Sequence, residues 1–383
     1  MSFSLIYLIV LPLVCYLYRK DSKRQYIPFI LLVLLSAIRY DTTSDYHNYV
    51  RMFWEESSDN LTDKQVLEFG YVYLNKFFGF TDWGFIGVLA VASLFTYFSF
   101  FPFFKNNNII CLGVFVFISL SCFTNCDNIV RQSISMACFN YSIYFYHSKK
   151  KIIALLFLLT APLFHISAYV LFGFLPLIYI FTKRVLPKWF MFSAVILLLI
   201  LYAIGFFEFM QENFFAISFI INSVYGDYND VEFSKDLIGI AFLIKTILCV
   251  IPVMMINKKT DRFTLLCVNM SWFSIILRIV FSGIPFFFRI ADYLSIFNIL
   301  AISMCLSFYF QKMSTRPIVY LMSFLLYILL SNHIIKYYGV ETPYQTIFST
   351  NCAEHRFYVR QTFEDVQMNG IDNKREDYYV LIK

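Results

Sequence analysis

Charge is scarce in this 383-residue chain: Asp, Glu, Lys and Arg supply only 15% of it, against 59% hydrophobic residues and a mean hydropathy of +0.65. So few polar groups cannot cover a soluble domain of this length, which excludes a water-soluble fold. The apolar runs also lack the polar–apolar alternation of membrane strands. Backbone polar groups cannot go unpaired in lipid, so the runs read as helices. No internal repeat is evident. Nine cysteines show no metal-ligand spacing; Cys122 and Cys126 are near enough in sequence to pair, but buried free thiols are the simpler reading. The segment before Arg19 lacks a basic n-region and a small-residue cleavage site, and is expected to be an anchor rather than a signal peptide. A net charge of +6 is no nucleic-acid signal in such a chain. What matters is where the basic residues sit.

What the chain has in abundance is bulky apolar sequence, including 47 Phe and 28 Tyr, which suits lipid contact and headgroup belts. Apolar segments near the roughly 20 residues that cross a bilayer fall at 3–18, 25–38, 84–104, 109–123, 129–147, 152–164, 166–182, 189–206, 237–256, 263–281, 286–310 and 317–335. The expected fold is therefore all-α, a polytopic integral membrane protein of about 12 transmembrane helices. Residues 1–335 form its single helical domain, and 336–383 a non-cytoplasmic tail.

Lys and Arg set the orientation. They concentrate in loops 19–24, 105, 149–151, 183–188, 258–262 and 312–316, which places these loops in the cytoplasm. The opposite loops are acidic. Keeping every later basic loop inside requires 152–182 to be two short spans broken near His165 rather than one long helix. Pro162 just before that point supports the break. Two outer loops are long enough to carry short amphipathic helices. Loop 39–83 has the polar run Asp41 to His47 and an amphipathic stretch from Val66 to Phe80; loop 207–236 has an aromatic half and an acidic half around Asp227, Asp230 and Glu232.

The charges left inside the spans are the informative residues. Arg131, Lys245, Arg278, Arg289 and Asp292 each cost about 2.5 to 3.5 kcal/mol on insertion scales if left unpaired at mid-depth. Lys245 lies near mid-span and needs an internal partner or a water-filled crevice. Arg131, Arg278 and Arg289, with Arg39 and His165, fall at the outer level. Any one of them alone reads as a side chain snorkelling to the headgroups. Together the arginines read as an anion site, because guanidinium groups bind phosphate through paired donors and stay charged when partly desolvated. Arg289, Asp292 and Tyr293 fall at i, i+3 and i+4, so Asp292 is placed to orient Arg289. A self-neutralising Arg–Asp pair is the alternative.

These residues also carry a resemblance. Arg39-Tyr-Asp-Thr-Thr-Ser-Asp45-Tyr46 after the second span, Arg131-Gln132 opening the fifth, Phe164-His165-Ile-Ser-Ala168, Arg289 to Tyr293 and Pro343-Tyr344 are similar to motifs of the EpsG-like, Wzy-type polysaccharide polymerases. The likeness runs in order along nearly the whole chain. Thr43-Ser44 departs from it, where the family often has a Gly before the Asp. The resemblance implies a glycosyltransferase that polymerises oligosaccharide repeat units linked to undecaprenyl diphosphate. Its place would be the outer leaflet of a bacterial cytoplasmic membrane, in surface-polysaccharide or O-antigen synthesis. It implies lipid-linked donor and acceptor partners, a chain-length regulator protein as a further partner, and no nucleic acid, cofactor or metal. Arg39, Arg131, Arg278 and Arg289, with Asp292, Tyr293, Gln132 and Tyr46, would bind substrate diphosphate. His165 or Asp45 would be the base for the attacking hydroxyl. Other classes fit the same residues: a metal-dependent transferase with a polyprenyl-phosphate sugar donor, using Asp41 and Asp45 as ligands; a flippase for the lipid-linked oligosaccharide; or an outer-leaflet ligase.

Overall fold

Regular structure in this chain is helical almost throughout, as its unbroken apolar runs require. The computed structural model describes residues 9–21, 23–40, 43, 45–57, 68–206, 239–281, 285–311, 316–336 and 345–346. The acidic and aromatic loop 207–236, expected to be an outer one, Asp41, Pro343, Tyr344 and nearly all of the tail lie outside the described residues. The chain divides into two compact units, residues 1–168 with 330–383, and residues 169–329.

The first unit begins with α1 (Leu11–Tyr18) and α2 (Ile27–Ala37), the latter started by Pro28, whose missing N–H costs nothing in a first turn. β1 (Arg39–Tyr40), α3 (Tyr46–Ser57) and α4 (Phe69–Gly79) lie within the loop 39–83, and α5 (Gly84–Phe98) and α6 (Phe101–Asn106) follow. Then come α7 (Ile110–Ser119), α8 (Cys122–Asn128), α9 (Val130–His147) and α10 (Lys151–Thr160). β1 pairs antiparallel with β2 (Gln345–Thr346), Arg39 opposite Thr346. The second unit holds α11 (Val170–Lys183), α12 (Lys188–Ala203), α13 (Ile240–Val250), α14 (Arg262–Val280), α15 (Pro285–Asp292) and α16 (Ser295–Phe310). α17 (Arg316–Lys336) closes the bundle sequence.

The interior is polar where helices meet and the outside is greasy. The Ser135 hydroxyl in α9 donates to the Ala161 carbonyl at 2.8 Å, and Asn140 donates to the Ser99 hydroxyl at 2.9 Å. In the second unit, Asn269 donates to the Phe181 and Arg184 carbonyls at 3.0 Å each, and Trp272 to the Met191 carbonyl at 2.8 Å. Small polar residues of this kind let membrane helices approach and bond. Ile152, Leu155, Leu156 and Leu159 of α10 and Ile196, Leu197 and Ile200 of α12 are exposed instead. Such faces are stable against lipid and not against water. This is an all-α membrane protein.

The helices do not confirm the count of twelve spans. Among the described residues three helical stretches are long and apolar enough to cross a membrane: 84–106, 166–183 and 262–280. A fourth appears if α7 and α8, bent by 67°, count as one. Elsewhere the apolar helices run 10–17 residues. The reasons are local breaks that an apolar count does not register. Span 109–123 turns at Ser121, a non-glycine residue at φ 61°, a left-handed conformation such residues rarely adopt. Span 237–256 tightens into a 3-10 turn, Ile251–Met255, at Pro252. Span 286–310 is interrupted at Tyr293 and Leu294. The break proposed near His165 is present: 3-10 turns Ala161–Leu163 and Ile166–Tyr169 flank Phe164 and His165. The eight described cysteines, Cys122 and Cys126 included, are thiols rather than disulfides.

Candidate active site

Three polar clusters in the first unit and one in the second contain most of the residues singled out from the sequence. The first cluster is sealed. Arg39, in β1 just after α2, is 2% exposed and Asp127, at the end of α8, 3%; Nη1 of Arg39 lies 3.3 Å from Oδ1 of Asp127. The same Nη1 donates to the Ser36 carbonyl at 2.9 Å and to the Ser93 hydroxyl at 2.6 Å, and Nη2 to the Asp127 carbonyl at 3.3 Å. Asp127 also accepts from the hydroxyls of Ser36 and of Tyr97, the latter at 3.0 Å. A buried pair needs such supporting hydrogen bonds to offset the desolvation of both ions. The bend between α7 and α8 is what turns Asp127 inward onto α2 and α5.

The second cluster holds Asp45, the residue immediately before α3. Asn128, the residue after Asp127, accepts from the Asp45 amide at 3.0 Å and donates to its carboxylate at 3.3 Å. This fixes the carboxylate while leaving it half-buried. Tyr46 next to it turns into the core, where its ring meets Tyr40 and Phe85 at 6.0 and 5.5 Å.

The third cluster joins three chain segments. Arg131 opens α9, and its Nη1 donates to Oε2 of Glu68 at 2.7 Å, with the side chains 20% and 15% exposed. Glu68 precedes α4, and its Oε1 accepts from the Ile166 amide at 3.0 Å, just past the helix break. Tyr49 and Tyr71, whose rings lie 6.0 Å apart, both interact with Arg131. Burial raises both phenols above their ordinary range, so they remain neutral hydroxyls there. His165 adjoins this cluster in sequence. The Ser167 amide donates to its Nδ1 at 3.2 Å, and the Ser167 hydroxyl sits 2.6 Å from the same nitrogen. An amide can only donate, so Nδ1 carries a lone pair and the proton of the neutral ring is on Nε2. Gln132 beside Arg131 is buried.

In the second unit Nη2 of Arg278, at the end of α14, donates to Oδ1 of Asp292 at 2.6 Å, both groups partly exposed. Asp292 therefore belongs to a contact that crosses from α15 to α14, which i, i+3 spacing within one helix does not disclose. Arg289 is half-buried on α15, and Tyr293 is fully buried in the turn after it. Among the described residues no three His, Cys, Asp or Glu side chains gather as metal ligands.

A family model for the EpsG family matches residues 25–346, which takes in all four clusters. The chain belongs to the EpsG family. Searches of curated proteins and of solved structures returned no match. Membership carries a role in polysaccharide biosynthesis of the glycosyltransferase-like polymerase kind. In this EpsG-family protein, sequence reasoning finds the arginines and Asp292 but misses the carboxylates that pair with Arg39 and Arg131. Glu68 is inside the amphipathic first loop without any local mark. Asp127 lies in what reads as a short connection between two spans.

Proposed function

We propose that this EpsG-family protein polymerises polyprenyl-diphosphate-linked oligosaccharide repeat units at the outer leaflet of a bacterial cytoplasmic membrane. The observation that carries the reading is the partly exposed Arg131, a fixed guanidinium at a helix break in a chain whose other first-unit arginine of the site, Arg39, is sealed. In the reaction, a hydroxyl oxygen of the acceptor sugar forms a bond to the anomeric carbon of the donor glycan. The bond from that carbon to the diphosphate oxygen breaks, and polyprenyl diphosphate leaves with the electron pair. The hydroxyl proton passes to a carboxylate.

Each part has a candidate. Charge grows on the departing diphosphate, and preorganised donors that meet it lower the barrier. Arg131 fills that role, and His165 adds a donor through Nε2–H, a role its tautomer supports better than that of base. Asp45, held by Asn128 yet open to solvent, is then the base for the hydroxyl. Arg278 and Arg289 are a second phosphate-recognising set in the other unit. Two lipid-linked diphosphates, donor and acceptor, need recognition in every cycle. Arg39 is a positioning residue that holds α2 and the start of the first outer loop.

The test is elongation by the purified protein in liposomes supplied with lipid-linked repeat units, read as glycan length on a gel. Arg131→Lys keeps the charge and loses the planar fork. It should cut the rate by a hundredfold or more, the ~2.7 to 4 kcal/mol that a donor to a developing oxyanion is worth, with normal amounts of protein in the membrane. Excess EDTA should leave elongation unchanged. Full-length polymer from Arg131→Lys would remove the support for this reading. Activity lost to chelator and restored by Mg²⁺ would put the metal-dependent transferase ahead.

A further inference from the structure

Glu68 has no part in the scheme above, yet it occupies the partly exposed cation on which that scheme rests. We infer that the Glu68 carboxylate stands in the phosphate subsite of the lipid-linked substrate, holding Arg131 and the Ile166 amide in the arrangement that a phosphate group takes over on binding. The inference rests on the proposed role of Arg131 and names two further components of that site, the Ile166 N–H as a direct donor and Glu68 as a positioning residue.

Three features of the fold support it. Glu68 precedes α4 with extended backbone angles, φ −68° and ψ 137°, the usual place for a side chain that caps its own helix. Its side chain makes no such cap. The backbone carbonyl alone serves α4, accepting from the Tyr71 and Val72 amides at 3.0 and 3.1 Å, and the carboxylate leaves its helix to bridge Arg131 and Ile166. One oxygen takes a guanidinium N–H and the other a main-chain N–H, the pair of donors a phosphate monoanion face accepts.

Second, α4 is brought unusually close to the helix break. A Cβ at Gly70 would lie 2.7 Å from the Leu163 carbonyl oxygen, so no side chain fits there. The absent side chain at 70 lets Glu68, two residues earlier, reach Ile166. Third, the pair is open, at 20% and 15% exposure, where the Arg39–Asp127 pair is closed. A ligand can enter and exchange with a carboxylate in the first case and not in the second.

A resident carboxylate competes with the incoming phosphate. Removing its charge therefore strengthens phosphate binding, an effect opposite to that of damaging a structural ion pair. The experiment measures binding of inorganic pyrophosphate to the full-length protein in detergent by calorimetry. Glu68→Gln should bind about tenfold more tightly than wild type, equal to ~1.4 kcal/mol, and Arg131→Gln should lose binding. If wild type binds through Arg131 and Glu68→Gln binds no more tightly, Glu68 is a structural partner and the inference falls while the proposed function stands. If pyrophosphate binding is absent in wild type and Glu68→Gln, or is indifferent to Arg131, the role of Arg131 itself falls. A second measurement needs no variant. Modification of Glu68 by a carbodiimide, followed by mass spectrometry of wild type, should increase when pyrophosphate is added. Unchanged or reduced labelling overturns the displacement.

Discussion

Two arginine–carboxylate pairs in the first unit do different work with the same chemistry. Arg39 and Asp127 are enclosed by Ser36, Ser93 and Tyr97, so each ion is surrounded by protein donors and acceptors. Arg131 and Glu68 have fewer supporting bonds and retain access to solvent. Enclosure makes an ion pair a clamp: both partners are desolvated in the folded state, and neither can leave without the other becoming an unpaired buried charge. Openness makes it exchangeable, since solvent or a ligand can replace either partner at small cost. Within one membrane unit, exposure separates a residue that fixes the bundle from the one proposed to meet a substrate.

The largest effect that bears on this contrast is expected at the enclosed pair. Asp127→Asn removes one charge and leaves the Arg39 guanidinium without its carboxylate, a loss of about 3 to 5 kcal/mol. Thermal unfolding in detergent should show a deep drop in stability, with little intact protein in the membrane, whereas Glu68→Gln should unfold close to wild type. Equal destabilisation by the two would erase the distinction. A smaller effect is expected one shell outward. Ser93→Ala takes a hydroxyl acceptor from Arg39, and a hydrogen bond to a charged group is worth about 1.5 to 3 kcal/mol. That variant should fold, melt at a lower temperature and still elongate glycan once folded. The smallest effect should come from a fully solvated contact. Lys183, whose ammonium meets the Tyr179 hydroxyl at the end of α11, can become Arg with no measurable change in melting temperature or product length.

The helices and the arginines were legible because both are written locally. Apolar runs announce helices, and a lone Arg in such a run is costly enough to stand out. The break at His165 was also legible, since Pro162 and the basic loops on either side require it. The partners were not. Glu68 is 63 positions from Arg131 and 98 from Ile166, and Asp127 acts on Arg39 across 88. No window of sequence contains both members of these pairs. The bend that aims Asp127 inward turns on Ser121 at a positive φ, with neither Gly nor Pro to mark it, so 109–123 read as one straight span. The reach of Glu68 depends on Gly70 fitting under Leu163, which only the packed structure reveals. Asp292 was legible as a charged residue but not as the partner of Arg278, because its bond crosses helices.

The pairing of β1 with β2 gives the chain an unusual schedule. Arg39 and Tyr40 leave the ribosome about 300 residues before their strand partners Gln345 and Thr346. The first unit also recruits residues 330–383, so the entire second unit is synthesised before the first can close. At about 5 to 20 residues per second of synthesis, roughly 15 to 60 s separate the two strands. During that interval the edge of β1 waits unpaired. The entropy of closing so long a loop grows only with the logarithm of its length, so the delay, more than the thermodynamics, is what this topology imposes. The β1–β2 contact can accordingly form only once residues 345–346 have been made, after the whole second unit.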